Sequence, residues 1–155
     1  MTDQTHTPTC LSRSFSLLLV AALCSLNAWG QDAPNDGVYK DRIDWGLLMD
    51  MSGPTSASQG IWVNGFRDYM RKINEAGGIH GRKINVLAED NRFNPATDKI
   101  AFEKLVSQTP VIAISGMGNS VSQVALAPTI KAGKVPIVGT YTATRALSEP
   151  VTPMV

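Results

Sequence analysis

Small residues, hydroxyls and glycines gather at two places in this chain, and what such groups do best is hold a molecule rather than break its bonds. Asp50-Met51-Ser52-Gly53-Pro54 is a short polar turn, and Ser115-Gly116-Met117-Gly118-Asn119 is a second one that opens onto a helical pattern at Ser120. Backbone N–H groups at a helix start, with Gly116 and Gly118 allowing close approach, favour a carboxylate, and the helix macrodipole adds to this. A charge-assisted hydrogen bond of that kind contributes about 1.5–3 kcal/mol.

Residues for covalent chemistry are scarce by comparison. The two histidines are His6, near the start, and His80, in a turn at the opposite edge of the expected sheet from Ser120. A Ser-His-Asp triad cannot be assembled from these, and neither can a His/Cys metal cluster. Gly118-Asn119-Ser120-Val121-Ser122 resembles a nucleophile elbow without its last glycine. Gly116-Met117-Gly118 is a partial dinucleotide fingerprint in the wrong place, after the third strand, with Val121 where a small residue belongs. Asp50 and Asp90 could accept a phosphoryl group, but no matching lysine follows the fourth strand. The expectation is a protein that is not an enzyme and has no cofactor and no metal.

The elements that must position these turns alternate in type. Ile43 to Met49 reads as a buried strand. Ser56 and Gln59 have the spacing of a capping box, and the helix they open places Trp62, Phe66, Tyr69, Met70 and Ile73 on one stripe. At that spacing Trp62 and Phe66 are core residues and not a cofactor stack. Gly77 and Gly78 end the helix. Lys83 to Glu89 is a second strand. Asn94 then caps a helix that has Pro95 at its first position and turns Ile100, Ala101, Phe102, Leu105 and Val106 inward, ending near Gln108.

Val111 to Ile114 is a short apolar third strand of the kind found at the centre of parallel sheets. Ser120 with Gln123 repeats the capping-box spacing. The helix continues through Val121, Val124, Ala125 and Ile130, is kinked or shortened by Pro128, and stops at Gly133. Val135 to Gly139 is the fourth strand. Successive right-handed crossovers make an α/β fold, a parallel sheet with helices on both faces. All four strand-end turns then share one edge, where such sheets bind ligands.

The chain has 155 residues, 14 Lys and Arg against 13 Asp and Glu, and a net charge of +1. That balance offers nothing to nucleic acid or to an anionic membrane. Residues 1–30 read as a signal peptide. The apolar run Phe15 to Leu26 follows Arg13 and is shorter than the roughly 20 residues that span a bilayer, and Ala28 and Gly30 precede Gln31 with the spacing of a cleavage site. The alternative is an uncleaved anchor, and Leu23 before Cys24 argues against a lipid anchor. Both cysteines, Cys10 and Cys24, fall in this leader, so none remains after cleavage before Gln31. Residues 31–41 read as a disordered lead-in.

Met51-Ser52-Gly53-Pro54, followed one helix later by Asn74-Glu75-Ala76-Gly77-Gly78-Ile79-His80-Gly81-Arg82-Lys83-Ile84, resembles the first βαβ unit of the periplasmic solute-binding proteins of branched-chain amino acid ABC importers, the leucine/isoleucine/valine-binding protein family. The resemblance implies strand order 2-1-3-4 and makes residues 42–155 the N-terminal part of one lobe, with the second lobe absent. It also implies that a turn at Gly118, Asn119 and Ser120 and another at Thr140, Tyr141 and Thr142 grip an amino acid's carboxylate and ammonium. Ser52 belongs to the matching first-lobe loop, and Ser120 could equally serve only its own helix. The family's aromatic contact falls at about Ser58, which is no aromatic, and Asp90 matches a structural loop residue. The implied function is an exported, periplasmic or secreted receptor that delivers a branched-chain or similar small amino acid or amide to an ABC permease. A sensor domain of the same fold is the alternative.

Overall fold

Strands and helices alternate along the residues that the computed structural model describes, which are 36–141 together with 144, 145 and 149. The order is β1 (Arg42–Met49), α1 (Ser56–Glu75), β2 (Lys83–Asp90), α2 (Pro95–Glu103) extended by a π turn (Lys104–Gln108), β3 (Ile114–Gly116), α3 (Ser120–Ala132) and β4 (Ile137–Thr140). The pairings between these four strands are parallel, and the sheet order is β2-β1-β3-β4, as the resemblance implies. The leader, residues 31–35 and Thr142 lie outside the described residues.

β1 is central, so both of its faces are covered. Leu48 packs with Phe102 and Leu105 and with Leu126 and Ile130 of α3, while Leu47 and Met49 pack with Val63 of α1 on the other face. This two-sided burial explains why β1 ends in the apolar run Trp45 to Met49 and why Val111 to Ile114, leading into β3, is apolar throughout. Trp62 and Phe66 stack 5.4 Å apart and sit half-buried beside the smaller cluster, the packing role their spacing indicates. Gly77 and Gly78 take positive φ at the end of α1 (107° and 77°), and a side chain at Gly78 would collide with the Arg82 carbonyl.

Several expectations are corrected. Tyr69 and Ile100 are exposed, and so are Val121 and Val124; the inward stripes run through Val63 and Met70, through Ala101 and Phe102, and through Leu126, Ala127 and Ile130. β3 begins at Ile114, with Val111 and Ala113 buried just before it. Pro128 does not shorten α3. It lies on the exposed side, beside exposed Val124, whose carbonyl loses its helical partner. Of the expected disordered lead-in, residues 36–41 instead form a turn: Val38 bridges Ile43, Asp44 N–H donates to the Gly37 carbonyl, and the Arg42 guanidinium lies over the Tyr39 ring.

Neither capping box forms. The Asn119 side chain caps α3 by accepting from Val121 and Ser122 N–H, and Thr55 precedes α1 without a side-chain cap bond. Each helix thus starts one residue earlier than the box requires. Ser56 and Ser120 become first helical residues, and the glutamines fall at the fourth, where the side chain turns inward.

Candidate functional site

The parallel sheet sends all four strand-end turns to one edge, and hydrogen bonds knit them together. Met117 N–H donates to Leu48 O (2.7 Å), Asn91 N–H to Met49 O (3.0 Å) and Tyr141 N–H to Gly116 O (2.8 Å).

In the turn after β1, Asp50 is wholly buried and folds the chain back around its own carboxylate. Oδ1 accepts Gly53 N–H (2.5 Å), while Oδ2 accepts Thr55 N–H (2.7 Å) and the Thr55 hydroxyl (2.6 Å). Burial pushes the Asp50 carboxyl up, but the Thr55 and Gly53 donors together outweigh it and hold the group below the usual carboxylate range. Asp90 ties the same turn to the end of β2, accepting Met51 N–H (2.9 Å) and the Ser52 hydroxyl (2.5 Å). Burial raises Asp90 too, and again the donors, Ser52 first, then Met51 and Arg92, bring it below its ordinary value. Asp90 is thus a loop-structuring residue, the role its family match implies.

The turn after β2 lies against the turn after β3. Arg92 and Phe93 adopt left-handed backbone (φ 51° and 56°), supported by Arg92 N–H on Asp90 and Phe93 N–H on Asn91. The Asn119 amide donates to Phe93 O (3.1 Å). Beneath them Asp98, buried, accepts Asn91 Nδ2 (2.7 Å) and the Ser122 hydroxyl. Burial raises the Asp98 carboxyl, and the Ser122 and Asn91 donors offset only part of this.

The candidate residues therefore divide. Ser52, Ser120, Thr140 and Tyr141 are exposed along this edge, whereas Gly118 and Asn119 are buried. The Asn119 side chain is spent on its cap and on Phe93 O. The space that a side chain would fill at Gly118 holds the Gln59 amide, 2.5 Å from an added Cβ. Ser52 keeps an exposed hydroxyl whose proton is engaged by Asp90. Thr142 is outside the described residues. A separate hollow of about 290 Å³, lined by Phe102, Val106, Ile130 and Val135 with Asp36 and Lys134, lies by the C-terminal end of α3, away from this edge.

Sequence reasoning missed the buried polar residues that hold the edge, Gln59, Asn91, Asp98 and Gln123. A signal was present for three of them. Gln59, Asp98 and Gln123 each fall three or four positions before a buried apolar residue, on the inward stripe where a polar side chain has to find partners. Among the described residues, no group of three or more His, Cys, Asp or Glu could hold a metal ion, and no helix is long and apolar enough to cross a membrane.

This architecture matches known proteins. The chain is similar to the branched-chain amino acid transporter substrate-binding protein LivJ from Streptococcus pneumoniae, solved with isoleucine: 26% identity and a TM-score of 0.64 over 71% of this chain and 32% of that one. An ABC transporter solute-binding protein from Rhodopseudomonas palustris, solved with 3,4-dihydroxybenzoic acid, matches at 24% identity and TM-score 0.59 over 70% of this chain and 29% of that one. A fatty acid ABC transporter substrate-binding protein from Thermomonospora curvata matches at 22% identity and TM-score 0.64, covering 72% and 28%. The chain spans about a third of the length of these relatives. Comparison with curated proteins gives no match. The family model described as periplasmic binding protein matches residues 43–155, so the chain belongs to the periplasmic binding protein family.

Proposed function

We propose that this chain supplies the first-lobe half of a solute receptor outside the cytoplasm, which closes two lobes on a small carboxylate and presents it to an ABC permease. The observation that carries the reading is the shared edge: four strand-end turns bound to one another, with the hydroxyls of Ser52, Ser120 and Thr140 and the ring of Tyr141 exposed along it. Ser120 at the start of α3 and Thr140 at the end of β4 would take the ligand's carboxylate and ammonium, with Thr142 beside them. Buried Gly118 and Asn119 would shape the turn and offer backbone groups only. Lobe closure excludes water and strengthens each of these bonds. Residues 1–30 would direct export and be removed before Gln31.

An amino acid, branched-chain or a similar small amino acid or amide, is the ligand class that the match to LivJ supports first. Neighbours solved with dihydroxybenzoate or described as binding fatty acid share the carboxylate and differ in the rest. Isothermal titration of the complete protein with L-isoleucine, L-glutamine, 3,4-dihydroxybenzoate and octanoate tests this. Micromolar or tighter binding of an amino acid is expected. Heat with the benzoate or the alkanoate alone would move the ligand class, and no heat with any of the four would count against the receptor reading.

A further inference from the structure

Gln59 is fully buried, yet it sits on a helix whose cap it does not serve. Its Oε1 accepts Asp50 N–H (2.9 Å), which fixes the orientation of the amide, and its Nε2 donates to Thr55 Oγ1 (2.8 Å) and toward Gly118 O (3.4 Å). The Thr55 hydroxyl in turn donates a hydrogen bond to Asp50 Oδ2. One side chain thus closes a ring inside the turn after β1 and reaches across to the turn after β3. Gly118 is the matching half: with no side chain of its own, it leaves the room that the amide fills.

We infer that Gln59 is a positioning residue of the binding edge, a buried rivet whose amide sets the spacing between the turn bearing Ser52 and the turn bearing Ser120. It touches no ligand itself. Its role deepens the receptor reading and rests on it, since spacing matters for function only if both turns hold one solute. An amide suits the task because it offers an acceptor and one donor to the turn after β1 and a second donor to the turn after β3, uncharged, beside the Asp50 carboxylate. A carboxylate in its place would lose the donors and set a second negative charge against Asp50, with Asp90 beyond. The turn Met117–Asn119 adds no titratable group.

Two measurements on the complete protein, with Cys10 and Cys24 replaced by serine, test the proposal. In the first, spin labels at Ala57→Cys and Val121→Cys, both exposed first-turn positions, report the spacing without any ligand. Gln59→Leu should broaden or shift the label-to-label distance distribution, and an unchanged distribution overturns the proposal. In the second, Gln59→Glu should bind the tightest probe of the panel above at least tenfold more weakly at pH 8 and recover at pH 5. There the protonated acid again offers a donor, while its thermal midpoint shows the fold intact. Wild-type affinity at pH 8 also overturns the proposal. If the unsubstituted protein binds no probe, the receptor reading is what fails, and the label distances still decide the role of Gln59.

Discussion

The helices that follow the turns after β1 and β3 open with the same spacing, Ser-x-x-Gln, and put it to different uses. Gln59 reaches out of its own turn to bind the neighbouring one, whereas Gln123 donates to Met117 O within its own turn. The caps differ as well: Asn119 caps α3 with its side chain, while Thr55 spends its hydroxyl on Asp50 and Gln59. Both turns also hold to their neighbours, the first through Gln59 and Asp90 and the second through Asn119 on Phe93 O. A local motif states which groups are available; the neighbours decide which partners they take.

The comparison is broken most forcefully at Gly118. Gly118→Ala should cost roughly 2–3 kcal/mol in urea denaturation of the complete protein, because the added Cβ expels a buried amide. Gln59→Ala in the same chain should return part of that loss, and strictly additive losses would contradict the account. Next, Gln59→Ala alone should cost about 2 kcal/mol and speed amide hydrogen exchange in both turns, since it strands the Asp50 N–H. Gln123→Ala should disturb the turn after β3, where it donates to Met117 O, more than the turn after β1, and equal spread from both variants would erase the distinction drawn here.

Smaller effects test the caps. Asn119→Ala should cost about 1 kcal/mol, and Ser120→Ala should stay within about 0.5 kcal/mol on stability while weakening ligand binding. A larger stability loss at Ser120 than at Asn119 would restore the capping box. The smallest effect is in pH. Asp50 and Asp90 are held below their ordinary value, so their stabilisation is complete at neutral pH and fades as pH falls below about 4. Asp98 is raised, so its buried charge costs stability as pH climbs above about 4 and through its own shifted value. Asp98→Asn should remove that second slope and leave the acid lability. Thermal midpoints from pH 3 to 7 check this, and an unchanged profile would show that Asp98 is not the group responsible.

Much of the fold was legible because its signals are local. Asn94-Pro95 states a cap and a first helical residue, and the structure has Asn94 accepting from Ala96 and Thr97 N–H. Gly77-Gly78 states a stop, and both take the backbone that glycine tolerates. The buried strands declare themselves by apolar stretches, Trp45 to Met49 and Val111 to Ile114, although β1 carries Asp44 and β3 starts at the end of its stretch. The helical stripes were harder. Tyr69, Ile100, Val121 and Val124 are apolar at plausible spacing, and only the direction of the neighbouring element leaves them in solvent.

The sequence by itself determined the alternation of strand and helix, the small polar turns at the strand ends and the poverty of nucleophiles, bases and thiols. These follow from residue type and short-range backbone sterics, which act within a few positions. Only the tertiary structure decided which hydroxyls stay open at the edge and which polar groups are consumed inside it. Gln59 and Gly118, and likewise Asn119 and Phe93, are distant along the chain. A buried donor or acceptor takes whatever partner folding brings within reach, because leaving it unmade costs about 1–3 kcal/mol.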